Sequence, residues 1–412
     1  MNILAIVLGF TIIIILNSKK VNMSICLLAG AITTGFLTGL NIREMTYYIL
    51  QTIKDPMTVR LMIIIAVISG LGYLLQENND LEKMIDSLYK LISNYKILTV
   101  TIPAIIGTLA VPGGAILSAP MIKKSANKIN LSGAQKASIN IFYRHIIFFV
   151  YPLFNAIIMS AELFSVSKYA IIKYNFFIFL AGLIPSYFIF FNHKNNNVSN
   201  NNIDKKINKN KANIIAFISS FSPVLTILLL AIVFKIPFQY AVFGGLLIGA
   251  GRNLKGDKKV FLYWQRIKKF FTEGINYSLI ALIFGIMYFK LVIENSGAVE
   301  VVADRLAASG IPLIFMIVAM GITSGYITGL NIAALGVLIP IFIPLFPEDN
   351  IVPYISLLFT SSFAGYLISP LHMCFILTKE YFNTKVLSTY KYLIIPLALM
   401  LLTGILQIVL KF

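Results

Sequence analysis

Glycine and proline interrupt apolar stretches of this sequence at four places, and polar residues accompany them. Glycine permits a reversal of the backbone and proline removes a hydrogen-bond donor, so each interruption should end one helix and start another. A helix that starts there presents unpaired N–H groups, which attract anions, whereas one that ends there presents carbonyl oxygens, which coordinate cations. The four interruptions are Pro112-Gly113-Gly114, Tyr151-Pro152, Thr328-Gly329 and Ser369-Pro370.

The small and polar residues at these interruptions are candidates for binding a substrate or an ion. Hydroxyl, amide and imidazole groups can hydrogen-bond a bound solute, and glycine lets the backbone approach it closely. The candidate binding residues are Pro112, Gly113, Gly114, Ser118, Asn155, Thr328, Gly329, Asn331, Ser369 and His372. The alternatives are tight turns with small-residue helix packing for the glycines, and a hydrogen-bonded packing role for the histidine.

Two basic residues precede the interruption at Pro152. Arg144 lies eight residues before this proline, which corresponds to about 12 Å of helix. We therefore expect Arg144 at the inner mouth of a cavity, where it would attract an anionic substrate. The alternative is an arginine that extends to the inner membrane surface. His145 and His372 are candidate proton-sensitive groups, because histidine titrates near neutral pH.

The composition shows which class of protein must position these residues. Of the 412 residues, 58% are hydrophobic and only 12% are charged, whereas soluble domains carry about 25% charged residues. A water-soluble enzyme, a nucleic-acid binder and a disordered protein are therefore excluded. The net charge of +18 comes from Lys and Arg that lie between apolar runs, which is typical of membrane topology. Cys26 and Cys374 both lie in apolar runs, so we expect neither a disulfide framework nor a metal cluster.

The two halves of the chain resemble each other at one constant separation, which we call the repeat spacing. Three pairs of identical residues share it: Asp86 and Asp304, Pro152 and Pro370, and Glu162 and Glu380. Between the halves, an Asn- and Lys-rich stretch is typical of a solvated linker. We therefore expect a first repeat at 1–191, a cytoplasmic linker at 192–211 and a second repeat at 212–412.

Two apolar runs, 97–122 and 311–345, are broken into fragments that are short for a membrane crossing. We interpret each as a re-entrant hairpin, because irregular backbone is tolerated in a membrane where it lines a protein cavity. A kinked ordinary span is the alternative. The predicted fold is an all-α polytopic membrane protein with about ten transmembrane helices, five per half, and one hairpin per half.

An odd number of crossings in each half predicts that the two halves are inverted relative to each other. With the N-terminus outside, the loops on the inside hold 25 of the 34 Lys and Arg residues. This distribution follows the positive-inside rule. We therefore expect a multi-pass protein of the cell membrane with its N- and C-termini outside. Residues 1–16 lack a basic leader, so we expect a retained helix rather than a signal peptide.

Two segments carry a resemblance to known proteins: VPGGAILSAPM at 111–121 and SPLHMCFILTKEYF at 369–382. They resemble an uncharacterised permease-like prokaryotic family that is similar to the gluconate permeases of the ion transporter superfamily. The resemblance covers most of the chain. It implies a scaffold domain, a transport domain with two hairpins, and transport of organic anions coupled to Na⁺ or H⁺, often in homodimers by an elevator-like motion. The first hairpin tip departs from the Ser, Asn and Thr clusters of that superfamily.

Inverted repeats with interrupted helices are typical of secondary transporters. We therefore expect a secondary active transporter of a small organic anion, a carboxylate or sugar acid, coupled to Na⁺ or H⁺, with the lipid bilayer as its other partner. The sequence contains no catalytic motif of a known enzyme class, so we expect no enzymatic activity and no cofactor. The alternatives are a cation/proton antiporter, which the lack of acidic residues at span centres disfavours, and a membrane-embedded enzyme or scaffold.

Overall fold

The computed structural model describes residues 2–109, 114–192, 211–254 and 259–410. All regular elements in these ranges are helices, which confirms the predicted all-α class. The helices of the first part are α1 (Asn2–Ser18), α2 (Met23–Leu37), α3 (Ile42–Lys54), α4 (Pro56–Glu77), α5 (Asp80–Leu91), α6 (Tyr95–Gly107), α7 (Gly114–Lys128), α8 (Gly133–Ile146), α9 (Asn155–Leu163) and α10 (Lys168–Phe191). Those of the second part are α11 (Lys211–Leu228), α12 (Phe238–Gly251), α13 (Lys259–Lys269), α14 (Tyr277–Asn295), α15 (Ala298–Ala308), α16 (Leu313–Thr328), α17 (Asn331–Phe342), α18 (Ile351–Ile368), α19 (Met373–Tyr381) and α20 (Val386–Val409).

Six helical segments within the described ranges are long and apolar enough to cross a bilayer. A crossing requires about 20 apolar residues, and the mean hydropathy of these segments runs from 1.6 to 2.3. They are Pro56–Glu77, Lys168–Phe191, Lys211–Val233, Tyr277–Asn295, Glu348–Tyr381 and Val386–Val409. Large apolar side chains such as Phe188 and Ile215 are exposed on them. These features indicate a membrane protein, whereas the predicted count of ten crossings and the orientation of the termini stay predictions.

Several apolar helices are too short to cross alone. At 1.5 Å per residue, the 16 residues of α16 and the 12 residues of α17 span about 24 and 18 Å, against about 30 Å of hydrocarbon. All twelve residues of α17 are buried by protein. The helix α17 therefore lies inside the molecule, and Gly329 before it is buried as well, whereas Leu330 between them is exposed.

The two sets of ten helices follow the same order. Helices α5 and α15 begin at Asp80 and Ala298, and helices α10 and α20 begin at Lys168 and Val386, so both pairs are separated by the repeat spacing. The packing of equivalent helices also repeats, because α7 packs on α19 and its equivalent α17 packs on α9. The short helix after each broken helix therefore contacts the opposite part of the chain. The predicted linker lies almost entirely outside the described residues, and the repeat boundaries stay predictions.

Candidate functional site

The predicted interruptions coincide with helix ends wherever the structure describes them. Helix α16 ends at Thr328 and α17 begins at Asn331, with Gly329 between them at a φ of +63°. Helix α18 ends at Ile368, and α19 begins at Met373. A short 3₁₀ turn follows α8, and then α9 begins at Asn155. Helix α7 begins at Gly114, whereas Pro112 and Gly113 lie outside the described residues.

Helices that start at these interior breaks begin without a side-chain cap, as α5, α12, α15, α16, α18 and α20 also do among the described helices. Such a cap accepts a hydrogen bond from the first N–H groups of a helix and is worth about 1 kcal/mol. The residues that cap other helices are Asn22, Asn41, Asp55, Asn94, Ser132, Ser167 and Asn276. The helices α9, α17 and α19 instead begin after Phe154, Leu330 and His372, and none of these side chains accepts such a bond. Their first N–H groups are therefore free of side-chain competition for a bound anion.

Arg144 is a buried cation at the start of α7. Its side chain leaves the last turn of α8, and the residue is only 6% exposed. A Cβ added to Gly114 would lie 2.2 Å from the Arg144 Nη2 atom, so the guanidinium packs directly on the first residue of α7. Its Nε and Nη1 atoms have no hydrogen-bond partner in the described part of the chain. The alternative interpretation, in which Arg144 extends to the inner membrane surface, does not match this burial.

The two histidines predicted separately lie side by side. The ring centroids of His145 and His372 are 4.8 Å apart, and the ring of Tyr366 lies 4.1 Å from that of His372. The Nδ1 atom of His145 lies 2.6 Å from the carbonyl oxygen of Ile141. Neither ring nitrogen of His372 makes a well-aligned hydrogen bond to a described residue, although His372 is 2% exposed. The sequence did not predict that Tyr366 lies beside these rings, because no local sequence pattern marks it.

The tip between α16 and α17 is a neutral hydrogen-bonding site. The Thr328 hydroxyl donates to the carbonyl oxygen of Ser324 at 2.8 Å. The Asn331 Nδ2 donates to the Ser362 hydroxyl at 3.0 Å, while its Oδ1 atom is buried with no partner among the residues described. This tip is joined to the break before α19, because a Cβ on Gly329 would lie 2.8 Å from the Cβ of Leu371.

Ser369 links the break before α19 to α16. Its hydroxyl donates to the carbonyl oxygen of Tyr326 at 2.5 Å and accepts from the Leu371 N–H at 3.1 Å. The only hydrogen that this hydroxyl can donate is therefore used within the protein. Ser369 therefore positions the backbone of the site. Its predicted contact with substrate or ion would have to be made by the hydroxyl oxygen acting as a further acceptor.

The comparisons with known proteins can be set against this geometry. A family model described as a protein of unknown function, DUF401, matches residues 2–410. The chain belongs to the DUF401 family. No curated protein matches it. Membership of DUF401 carries no activity with it, so a function must be argued from the arrangement of side chains.

The remaining predicted residues take more local positions. The Ser118 hydroxyl is fully buried and donates to the Gly114 carbonyl oxygen of its own helix at 3.0 Å. Asn155 is the first residue of α9, and its Oδ1 atom is buried without a partner in the described ranges. Sequence reasoning missed Asn140, whose Nδ2 donates to the Ala115 carbonyl oxygen at 3.2 Å and to the Thr378 hydroxyl at 3.1 Å. Asn140 thus joins α7, α8 and α19.

Proposed function

We propose that this protein is a secondary active transporter of a small organic anion, a carboxylate or a sugar acid, coupled to Na⁺ or H⁺. The observation that carries the proposal is the buried guanidinium of Arg144, which packs on Gly114 without a partner for its Nε and Nη1 atoms in the described part of the chain. A buried charge is costly unless it is paired. An anion supplied from solution would provide the missing partner.

The surroundings of Arg144 favour an anion over a cation. The N-terminal end of a helix carries a partial positive charge, so the start of α7 adds to the charge of Arg144. A carboxylate can accept two parallel hydrogen bonds from a guanidinium. Among the described residues, the buried carboxylate is Asp80, which pairs with Arg252 at 2.8 Å. A cation/proton antiporter, the second candidate, would instead need a free buried carboxylate as its proton carrier.

The transport proposal includes the finer fold: ten crossings, two re-entrant hairpins and inverted halves. The short α16 and α17, the common repeat spacing and the concentration of Lys and Arg in alternate loops support it. The arms α7 and α17 would carry the substrate site, and alternating access would move them with their partner helices against the rest of the protein. The permease-like family that the interrupted motifs resemble is similar to the gluconate permeases, which is consistent with the same class of substrate, although no curated protein matches the chain.

Uptake by proteoliposomes tests the proposed function. Purified protein would be reconstituted and offered radiolabelled gluconate, lactate, succinate and citrate under an imposed Na⁺ gradient or pH gradient. We expect gradient-dependent accumulation of at least one acid, which empty liposomes do not show. Cation flux linked to a pH gradient without any organic acid would instead show an antiporter. Absence of solute flux from correctly inserted protein would favour the enzyme or scaffold alternative.

Cysteine labelling tests the inverted topology independently of the substrate. Both Lys123 and Glu348 are exposed, and each would be replaced by cysteine after Cys26 and Cys374 are changed to serine. The topology predicts Lys123→Cys on the inside and Glu348→Cys on the outside, so an impermeant maleimide should label only the second in intact cells. Labelling of both positions from the same side would contradict the inverted halves.

A further inference from the structure

Two histidines and one cysteine bring three potential metal ligands together beside the broken helices. The ligand atoms of His145, His372 and Cys374 all lie within 4.8 Å of one another. Both histidines are buried, whereas Cys374 is partly exposed. Imidazole nitrogen and thiolate sulfur are the donors that Zn²⁺ and Cu⁺ prefer. The donor set therefore differs from the carboxylate and carbonyl oxygens that hold Ca²⁺, Mg²⁺ or Na⁺.

The hydrogen bonds of the two imidazoles leave nitrogens available for a metal. Because a carbonyl oxygen only accepts, the 2.6 Å contact with Ile141 places a hydrogen on Nδ1 of His145 and a lone pair on Nε2. Such a bond to the second nitrogen is the usual way in which a metal-binding histidine is oriented. The ring of His372 lies near the backbone of Leu367 but makes no well-aligned hydrogen bond to a described residue, so at least one of its nitrogens is available to a metal.

We propose that His145, His372 and Cys374 form a binding site for one thiophilic transition-metal ion, Zn²⁺ or Cu⁺. Ligand atoms on a tetrahedral ion at bond lengths of about 2.0–2.3 Å are about 3.5 Å apart. The observed separations reach 4.8 Å, so the three side chains would have to draw together by about 1 Å when the ion binds. Three protein ligands leave the fourth position of a tetrahedral ion open to water or another small ligand.

The charges around the cluster restrict the form in which the metal binds. Arg144 precedes His145 in the chain, and its positive charge opposes a cation. Cys374 must bind as a thiolate, which offsets one positive charge of the ion. It is the second residue of α19, where the positive end of the helix stabilises negative charge. A Cu⁺ thiolate site is neutral and a Zn²⁺ thiolate site keeps one positive charge, so we expect tighter binding of Cu⁺.

Metal binding by the purified full-length protein tests this proposal, with Co²⁺ as a spectroscopic reporter. We expect one equivalent of Co²⁺ to produce a thiolate-to-metal charge-transfer band that Zn²⁺ removes by displacement. Cu⁺, added under reducing conditions with a competing chelator, should bind more tightly than Zn²⁺, whereas Mg²⁺ should leave the band unchanged. Cys374→Ser should abolish the band, and His372→Gln should weaken binding by more than about 10-fold.

Two control variants make the test specific to this cluster. Cys26→Ser removes the other cysteine, which lies buried in α2 away from the cluster, and should keep the band. Arg144→Gln removes the opposing charge and should tighten metal binding although it lowers uptake, so failures of the metal and transport proposals are distinguishable. No band in monodisperse wild-type protein, or an equal band in Cys374→Ser, would overturn the metal site.

Discussion

The two regions predicted to be re-entrant hairpins share the same helix order but differ in the group that packs on the helix after the break. Arg144 on α8 and Ser362 on α18 occupy equivalent positions, separated by the repeat spacing. In the first region the guanidinium of Arg144 packs on Gly114, whereas in the second the Ser362 hydroxyl accepts a hydrogen bond from Asn331. The proposed function therefore assigns different roles to the two regions. The first would supply the charge that selects an anion, and the second would supply neutral groups that orient it.

The aromatic residues at equivalent positions of the two halves differ as well. At the repeat spacing, the equivalent of His145 is Phe363, and the equivalent of His372 is Phe154. Each half thus contributes one histidine, but at different places, and the two rings meet at 4.8 Å. Phe154 instead stacks on Phe148 at 3.9 Å. The polar cluster is therefore asymmetric, although the helix order around it repeats.

Removing the charge of Arg144 should have the largest effect. Hydrogen bonds to charged groups are worth about 1.5–3 kcal/mol, so Arg144→Gln should lower kcat/KM for anion uptake by about 10- to 150-fold. Arg43→Gln, which changes an exposed arginine on α3, is the matched control and should stay within about twofold of wild type. Equal uptake by both variants would show that the charge of Arg144 is not needed for anion uptake.

Substitution at the tip between α16 and α17 should have the second largest effect. Gly329 and Gly297 have φ values of +63° and +62°, so an alanine at either position is strained by about 1–2 kcal/mol. Only Gly329 also has the backbone of Leu371 against it, at 2.9 Å from an added Cβ, whereas Gly297 faces open space. We expect Gly329→Ala to lose more than about 10-fold in uptake and Gly297→Ala to lose stability alone. Thermal unfolding together with uptake would reveal the difference, and parallel losses in both variants would contradict it.

A smaller effect is expected where Arg144 meets the start of α7. An alanine at Gly114 must displace the guanidinium, since its Cβ would lie 2.2 Å from Nη2. The end of this long side chain can move, so the charge is kept but misplaced. Gly114→Ala should raise KM by about tenfold, which corresponds to about 1.4 kcal/mol, with a smaller change in kcat. Measurement of uptake over a range of substrate concentrations separates the two, and an unchanged KM would show that the contact with Arg144 is irrelevant.

Substitution of the hydrogen-bonded pair Asn331 and Ser362 should have the smallest effect on uptake. Asn331→Ala removes one hydrogen bond to Ser362, which is worth about 1 kcal/mol, and we expect about a fivefold loss of uptake. Ser362→Ala leaves the Asn331 amide in place without this acceptor and should cost at least as much. If either variant lost as much activity as Arg144→Gln, the proposed division between the two regions would be wrong.

The helix ends at the breaks could be predicted because glycine and proline act locally. Gly329 and Pro370 determine where α16 and α18 end from within a few residues. The meeting of His145 and His372 could not be predicted, since they lie in different halves of the chain and only tertiary packing joins them. The contact of Arg144 with Gly114 likewise depends on how two helices pack. The partnership of Cys374 with two histidines was missed because its apolar surroundings in the sequence argued against a metal ligand.

Thermal stabilisation of the purified protein by organic acids tests the central claim most directly. A ligand present at about 100 times its Kd stabilises the folded state by about 2.7 kcal/mol. The account predicts that at least one acid raises the Tm of the wild-type protein, and that the same acid at the same concentration raises the Tm of Arg144→Gln by about half as much or less. An equal rise in both proteins would show that Arg144 does not bind the anion and would contradict the account.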